Sequence, residues 1–483
     1  MSRIILGSPM AGGLIDSLVN RKRVFTAEPR NHLITVGSAR SGKGAASIAI
    51  NALTWPGSMA LYDPKLENCL ITAEQRLRMG QRVIALDPWR RLERVYLSGA
   101  APGALRFPIE IVTDFNPLNE VDPRSDDYES SLTDIADAAV DRANAQKDPH
   151  WDDQATELIG ALLADCLETG EPNLPAMRRR LMRDREGFLA LVAEAKAREP
   201  YLNHGGKSAA YFLSPFTDKN KEMQSIFSSA RRHTKFLDDR VMARHFMPER
   251  NSFRLADIAN QPTTLYLGLP PDKLDAYYPR WIRVMLIMLI TAIIRARPAH
   301  NRVLLLLDEF ATALGRIPIV ERQFGLGAGL GLILWPYVQS LAQLRGVYGE
   351  GYETFLGNAT IKQFFACGDQ FTAEYVSRLL GSYRRPTVTR SWNGHNASVS
   401  MGESWDQVMR PEEVRRFLAK HSIAFVDEVP YRLNPMFYFK EPRFAGQYRT
   451  PPEYAPREAA ARPAQETPAP RPGRRGNGFI VGE

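Results

Sequence analysis

The 483-residue chain is 44% hydrophobic and 24% charged, as expected for a globular protein with enough length for roughly two or three domains. Its formal net charge of +8 permits an anionic partner, such as nucleic acid or acidic lipid, without requiring one. The three cysteines are far apart, and neither they nor the eight histidines have metal-ligand spacing, which argues against a disulfide scaffold and against a zinc site.

Strands and helices alternate in the first part of the chain. Strands are predicted at 32–36, 58–62 and 82–86, and helices at 43–53 and 67–79. The strand segments are nearly continuous apolar runs, and such runs between helices indicate a parallel sheet that is covered on both faces. We interpret residues 1–30 as an N-terminal extension and residues 31–115 as the first part of an α/β domain.

The pattern becomes helical between residues 116 and 246. Asp148 and Pro149 form an N-cap and first-turn pair, and apolar residues then recur at helical spacing from Ala155 to Leu167. Further helices are predicted at 178–197 and 222–237. Because the segment shows no convincing strand, we interpret it as an all-α insertion.

Strand signals return after the insertion, so residues 247–445 are interpreted as the second part of the same α/β domain. The predicted strands are 263–269, 303–307, 331–338 and 360–366, with late edge strands at 423–426 and 436–439. The apolar run of the helix predicted at 281–296 is too short to span a bilayer, and the start of the chain lacks a signal-peptide pattern. Residues 446–483 are rich in Pro, Ala and Arg and predict a disordered tail.

A glycine-rich loop stands between the first predicted strand and helix. It matches the pattern G-x-x-x-x-G-K, in which backbone N–H groups surround phosphate oxygens and the lysine supplies a charge for the β- and γ-phosphates. The usual next residue is Ser or Thr, which binds Mg²⁺; here it is Gly44, and Ser41 or Ser47 are candidate substitutes. The residues expected to hold the nucleotide are Gly37, Ser38, Ala39, Arg40, Ser41, Gly42, Lys43, Gly44 and Ala45.

Two carboxylates follow the apolar strand at 303–307. We expect Asp308 to hold Mg²⁺ through its water shell and Glu309 to polarise the attacking water. Gln339, at the end of the strand at 331–338, either senses the γ-phosphate or positions water, or else is a surface turn residue, and the spacing alone favours neither interpretation. Lys43, Glu309 and Gln339 are therefore the catalytic candidates, with ATP and Mg²⁺ as the expected ligands.

Two arginines beyond the acidic pair are candidates for an arginine finger. Arg316 or Arg322 could reach the nucleotide of a neighbouring subunit, although for each arginine taken singly an ordinary surface position is favoured. Asp63 and Asp87 also end predicted strands, and the proline after each favours a turn-forming role.

A series of motifs in the same order resembles the TraG/VirD-type coupling ATPases of type IV secretion systems. The matching segments lie between Leu33 and Phe439 and are Gly37–Gly44, Leu53–Ser58, Asp63–Lys65, Phe115–Leu118, Trp151–Asp152, Ser229–Ala230, Phe236–Asp238, Leu307–Phe310, Leu314–Gly315, Val338–Leu344, Tyr348–Gly349, Thr372–Tyr375, Leu380–Gly381 and Met409–Val414. The resemblance implies a RecA/FtsK-like P-loop NTPase domain that bears an all-α domain and assembles as a homo-oligomeric ring, most simply a hexamer. Glycine in place of Ser or Thr, as at Gly44, is also usual in this branch of the family.

The resemblance further implies that ATP hydrolysis delivers relaxase-bound DNA or effector cargo into a secretion channel. Its members usually carry an N-terminal transmembrane region, for which this sequence shows no pattern. We therefore expect a cytoplasmic protein at the inner-membrane face that contacts the membrane only through partners, and that binds DNA, by analogy single-stranded, without sequence preference. Two alternatives remain open: a nucleotide-switched protein-cargo adaptor, and a soluble DNA-translocating motor of another mobile-element system.

Overall fold

The computed structural model describes residues 3–10, 24–97, 109–140, 150–202, 207–218, 221–274, 277–296, 302–326, 328–392 and 397–450. The predicted cap at Asp148 and Pro149, and the predicted disorder of residues 451–483, lie outside these ranges. The strands are β1 (Ile4–Pro9), β2 (Phe25–Ala27), β3 (His32–Val36), β4 (Met59–Tyr62), β5 (Arg82–Leu86), β6 (Glu110–Val112), β7 (Thr263–Leu267), β8 (Val303–Leu307), β9 (Leu332–Val338), β10 (Ala359–Phe364), β11 (Ser382–Trp392), β12 (Ala397–Gln407), β13 (Ser422–Val426) and β14 (Val429–Asn434).

Twelve of these strands form one sheet, in the order β2-β1-β14-β13-β10-β3-β9-β8-β4-β7-β5-β6. The eight strands from β10 to β6 pair in parallel, and the other four pair antiparallel. Alternate residues of β8 face different cores: Leu304 and Leu306 pack on one side of the sheet, and Leu305 and Leu307 on the other. The predicted α/β fold with a mostly parallel, two-sided sheet is confirmed.

The helices cover this sheet and also form the helical region between residues 116 and 246. They are α1 (Ala49–Thr54), α2 (Glu67–Arg78), α3 (Tyr128–Ala139), α4 (His150–Glu168), α5 (Leu174–Leu181), α6 (Arg185–Arg198), α7 (Ala209–Leu213), α8 (Lys221–His233), α9 (Arg240–His245), α10 (Asp257–Asn260), α11 (Pro279–Ala296), α12 (Phe310–Leu314), α13 (Pro318–Leu326), α14 (Leu341–Tyr348), α15 (Tyr352–Asn358), α16 (Gln370–Leu380) and α17 (Pro411–Leu418). A π-helical turn, Gly44–Ile48, precedes α1 and leads out of the glycine-rich loop.

The described residues between 116 and 246 contain helices and no strand. At the base of this region, Asn251 accepts a hydrogen bond from the Asn116 N–H at 2.8 Å and donates one back to the Asn116 carbonyl at 3.0 Å. Arg295 of α11 donates to the Ser131 hydroxyl of α3 at 3.0 Å. The helical region and the sheet region therefore pack on α11, while the domain boundaries given above stay a prediction.

The segment predicted as helical at 178–197 is helical but is divided between two helices. The chain forms α5 and α6, because Asp184 accepts a hydrogen bond from the Gly187 N–H at 2.9 Å and caps a new helix. The late edge strands were placed wrongly. Strand β13 lies inside the sheet between β10 and β14, and residues 436–439 form no strand.

Residues 4–9 and 25–27, predicted as part of an extension, are strands at one end of the sheet. Strand β1 pairs with β14, and the Asn51 side chain accepts from the Ile5 N–H at 2.8 Å and donates to the Ile5 carbonyl at 2.9 Å. These pairings join segments far apart in the chain, so local sequence patterns carry little sign of them.

Strands β11 and β12 form a separate two-stranded hairpin that the sequence analysis missed. One face carries Val388 opposite Met401 and Arg384 opposite Trp405, and these apolar side chains are exposed. Two ion pairs, Arg384–Glu403 and Arg385–Asp406, hold the strands together at 3.2 and 3.7 Å. Among all described residues, no helix is both long and apolar enough to cross a membrane.

Candidate nucleotide-binding site

The glycine-rich loop connects β3 to the π-helical turn and is held against two neighbouring strands. The Gly37 N–H donates to the Val338 carbonyl at the end of β9 at 2.9 Å. The Ser38 N–H donates to the Ala366 carbonyl just beyond β10 at 2.7 Å. These bonds fix the loop at the carboxyl edge of the parallel strands, where ligands bind in open α/β sheets.

Two glycines of the loop are required by space and backbone conformation. A Cβ on Gly42 would lie 2.7 Å from Cε1 of Phe437, and its φ of +87° disfavours any other residue. A Cβ on Gly37 would lie 2.7 Å from the Ser41 hydroxyl. Gly44 differs, because a Cβ there would meet no atom within 4 Å. Its lack of a side chain is therefore not imposed by packing.

Lys43, Glu309 and Gln339 meet at the ends of three adjacent strands. Lys43 Nζ lies 3.3 Å from Oε1 of Glu309, and Gln339 donates from Nε2 to Oε2 of the same carboxylate at 2.6 Å. Because β9 lies between β3 and β8, Gln339 stands between the loop and the acidic pair. Glu309 has a left-handed backbone (φ 51°), an uncommon conformation for a non-glycine residue that is often found at functional sites.

Asp308 and Asp63 are carboxyl groups at the ends of adjacent strands, because Tyr62 of β4 pairs with Leu307 of β8. Asp63 is buried, and Asp308 is partly buried. Burial raises the pKa of Asp308 to about 6, against the opposing effect of the Lys43 charge. Burial likewise raises the pKa of Asp63 to about 7, and the nearby Asp308 charge adds to this.

Asp63 also accepts hydrogen bonds from the Cys69 N–H at 2.8 Å and the Asn68 side chain at 3.2 Å. These bonds organise the start of α2. Asp87 accepts from the Leu92 N–H at 2.7 Å in the same way. The geometry of both aspartates agrees with the turn-forming role expected from sequence.

The two serines considered as substitutes for the missing hydroxyl differ in their surroundings. The Ser47 hydroxyl is buried and bonds to the Tyr337 hydroxyl at 3.0 Å, facing the core. The buried Ser41 hydroxyl has no hydrogen-bond partner among the described residues. Ser41 is therefore the better placed of the two to meet a ligand in the loop.

A cavity of about 560 Å³ opens over the loop. It is lined by the loop from Arg40 to Ala45 and by Asp308, and also by Ile71, Tyr438 and Phe439. The crowded glycines, the unpartnered Ser41 hydroxyl and the Lys43 charge all suit a polyphosphate, and a carboxylate such as Asp308 suits a hydrated Mg²⁺ ion. The described residues contain no group of three or more His, Cys, Asp or Glu side chains able to hold a metal by themselves.

The two arginine-finger candidates lie away from the loop of their own chain. Arg316 donates to Oε2 of Glu321 from Nη2 at 3.0 Å and from Nε at 3.2 Å. Arg322 is exposed on α13, and its charge lowers the pKa of Asp134 in the helical region, although burial raises that pKa overall. Neither arginine lines the cavity over the loop.

Sequence reasoning missed several residues of the site. Tyr438 and Phe439 were assigned to a strand, and their aromatic character was the only local signal. Gln343 was also missed: it lies one helical turn after Gln339 and donates to its Oε1 at 3.4 Å. A polar residue four positions on in a helical pattern was a usable signal in that case.

A phosphate-binding loop after one parallel strand, with an acidic pair after a second strand and a glutamine between them, defines a nucleotide-binding protein of the P-loop NTPase class. The model for the family described as "Type IV secretory system Conjugative DNA transfer" matches residues 7–95 and 107–458. The chain belongs to this family, and the resemblance to coupling proteins is confirmed.

Curated relatives are about a quarter identical in sequence to this chain over the aligned residues. The protein VirD4 of Rhizobium rhizogenes is 24% identical over 437 residues, which are 85% of this chain and 59% of the relative. The conjugal transfer protein TraG of Escherichia coli is 24% identical over 404 residues, 79% of this chain and 60% of the relative. The chain thus spans about three fifths of the length of these relatives.

Solved structures show the same fold. The bacterial conjugative coupling protein TrwBdeltaN70 matches with a TM-score of 0.63 at 18% identity, covering 90% of this chain and 94% of that one. TrwB has also been solved with the non-hydrolysable ATP analogue ADPNP, and with ADP and Mg²⁺; these structures have TM-scores of 0.62 at 16% identity. The α/β P-loop NTPase-like fold expected from sequence is therefore confirmed.

Proposed function

We propose that this chain is an ATP-hydrolysing coupling protein that drives DNA, bound to a relaxase, or effector cargo into a type IV secretion or conjugation channel. The observation that carries the proposal is the meeting of Lys43, Glu309 and Gln339 beside a cavity lined by the glycine-rich loop. Membership of the conjugative DNA transfer family supplies the cellular context.

In this proposal, residues 37–45 hold the nucleotide, with loop N–H groups on the phosphates and Lys43 on the β- and γ-phosphates. Asp308 holds Mg²⁺ through water; the ion would neutralise charge on the phosphate oxygens. Glu309 polarises the attacking water, and Gln339 keeps the Glu309 carboxylate oriented through the 2.6 Å hydrogen bond.

The Lys43–Glu309 ion pair is the proposed arrangement of the site without nucleotide. Lys43 is almost fully buried, so its charge requires a partner at all times, and Glu309 supplies it at 3.3 Å. Phosphates in the loop compete for the same ammonium group. Nucleotide binding thereby frees the Glu309 carboxylate for water, which links occupancy of the loop to formation of the catalytic arrangement.

We assign cargo and partner contacts to the helical region, residues 116–246, whose described residues contribute no side chain to the cavity over the loop. Residues 31–115 and 247–445 form the motor domain, and the segment after 445 is a tail. The active form of the protein is a homo-oligomeric ring, most simply a hexamer. This ring works at the cytoplasmic face of the inner membrane beside channel components. Arg316 or Arg322 would complete a neighbour's site.

The proposed cargo interaction is with the DNA backbone. A ring of chains with a net charge of +8 each offers a positively charged path for phosphates. Affinity should then fall steeply with salt and vary little with base sequence, because backbone contacts release counterions without reading bases. By analogy with the family, single-stranded DNA is the expected substrate.

The decisive experiment measures ATPase rate per protomer against protein concentration, at low and high salt, with and without single-stranded DNA of several sequences. We expect the rate to rise with concentration as rings form, and to rise again with DNA at low salt only. The Lys43→Ala variant removes the phosphate-binding charge and is the inactive reference. Lys420→Ala, at an exposed position, is the matched control.

A rate that stays flat with concentration, together with no DNA binding at low salt, contradicts the motor. Measurable nucleotide binding with turnover unaffected by DNA would instead identify a nucleotide-switched cargo adaptor. DNA-stimulated turnover without any association with secretion-channel components would identify a motor of another mobile-element system.

A further inference from the structure

We infer that Phe439 is the platform on which the nucleobase of the bound nucleotide stacks. This inference rests on the proposed nucleotide-binding function and adds to it the part of the site that holds the base. The cavity is lined by the phosphate-binding loop and Asp308 and also by the largely apolar side chains of Ile71, Tyr438 and Phe439.

The segment that carries Phe439 is fixed against the loop. The Phe437 ring lies against Gly42, where a Cβ would come within 2.7 Å of the ring. The Tyr438 N–H faces the Ala45 carbonyl at 3.4 Å. The Tyr438 side chain is buried in a cluster with Ile71 and Phe444. The ring after Tyr438 is therefore held at a set distance from the phosphate-binding residues.

Phe439 is exposed, whereas the preceding residue Tyr438 is buried. Half of its surface is accessible, against 6% for Tyr438, and its ring meets the Tyr438 ring edge to face at 5.3 Å. An exposed aromatic ring in the wall of a phosphate site offers one face to a flat partner. Every nucleobase has such a face, and stacking on aromatic side chains depends little on base identity.

Ile71, Tyr438 and Phe439 offer a base mostly carbon atoms, and the polar residues Glu67 and Thr450 also line the cavity. Asn68, which also lines the cavity, is occupied by its 3.2 Å hydrogen bond to Asp63. Ile71 presents only carbon atoms. A site that contacts the face of the base, and not the polar groups on its edge, binds adenine and guanine with nearly equal affinity. The geometry therefore predicts that ATP and GTP bind with similar affinity.

The test compares ATP, GTP and inorganic tripolyphosphate, which lacks a base, on the full chain. Phe439→Ala should weaken ATP and GTP by about 5- to 100-fold and leave tripolyphosphate unchanged. Phe439→Trp should restore nucleotide affinity, because it returns an aromatic face. Trp405→Ala, on the exposed hairpin face, is the matched control for loss of a surface aromatic residue.

Unchanged ATP affinity in Phe439→Ala overturns the platform, provided that Lys43→Ala abolishes binding in the same assay. Equal weakening of ATP and tripolyphosphate also overturns it, since this would mean that the loop has shifted. A preference for ATP over GTP of more than about 100-fold contradicts recognition by the face of the base. Wild-type protein that binds neither nucleotide nor tripolyphosphate refutes the proposed function itself.

Discussion

Gln339 Nε2 donates a hydrogen bond to Oε2 of Glu309 at 2.6 Å, joining the ends of β9 and β8. The other oxygen of the same carboxylate faces Lys43 Nζ at 3.3 Å. Glu309 therefore lies between Gln339 and Lys43, and of these two we expect only Lys43 to bind nucleotide phosphates as well. Three residues whose functions were predicted separately from the sequence therefore meet at this one carboxylate.

Replacing Gln339 with alanine should lower kcat about tenfold and leave KM for ATP nearly unchanged, because the lost bond orients Glu309 and does not touch the phosphates. Steady-state ATPase kinetics measure both constants. Gln343→Ala is the control: its bond to Gln339 is longer, at 3.4 Å, so a smaller effect is expected. A rise in KM at constant kcat would instead place Gln339 on the substrate.

Glu309→Gln should bind ATP at least as tightly as the wild type and lower turnover by about 100-fold or more, because the amide cannot polarise water as a carboxylate does. Tight binding is expected because Lys43 no longer has a full negative charge to pair with. Nucleotide titration and single-turnover hydrolysis separate the two effects. Glu412→Gln, on the exposed face of α17, should leave both unchanged, and wild-type turnover in Glu309→Gln would show that another group activates water.

Two glycine-to-alanine variants in the loop should behave oppositely. Gly42→Ala places a Cβ 2.7 Å from Phe437 at a positive φ, so we expect an unfolding free energy lower by about 1–2 kcal/mol and a loss of ATP binding. Gly44→Ala meets no atom within 4 Å and should keep both. Thermal melts and nucleotide titrations are the measurements; equal loss in both variants would contradict the predicted loop geometry.

The stability of the nucleotide-free protein should fall as pH rises from about 4 to 7. Asp63 and Asp308 have folded-state pKa values of about 7 and 6, above the ordinary value of 3.8, so the folded state keeps protons that the unfolded state has released. Their favourable contribution is complete below the unfolded value and is lost as pH passes the folded values.

Thermal melts of the wild type and Asp63→Asn across this range test the effect. The variant should lose less stability towards pH 8, with a difference in Tm of about 1–3 °C. Asp272→Asn, which changes an exposed carboxylate, should follow the wild type. Parallel curves for wild type and Asp63→Asn would show that Asp63 does not titrate in this window.

Acidification should also weaken Mg²⁺-dependent nucleotide binding. The pKa of Asp308 is about 6, and the ion requires its carboxylate form, so affinity should decline as pH falls below this value. Titration of Mg²⁺ at fixed ATP between pH 5 and 8 measures the change. Binding of ATP without Mg²⁺ should depend less on pH, and equal dependence in the two titrations would remove Asp308 from the metal site.

The sequence by itself determined the elements whose signals are local. Strands β3, β5 and β8 match their predicted bounds, because each is a largely apolar run ended by turn-forming or polar residues. The loop from Gly37 to Lys43 was also recognisable, because backbone geometry around a phosphate restricts residue types within a few positions.

Only the tertiary structure decided which of these elements meet. Placing β9 between β3 and β8 brings Gln339 to Glu309, and pairing β1 with β14 makes a strand of a segment predicted as an extension. Packing of Phe437 on Gly42 sets Phe439 in the wall of the cavity, where the sequence had indicated an edge strand. Such contacts join residues far apart in the chain and depend on long-range packing and strand order, which local apolar periodicity does not encode.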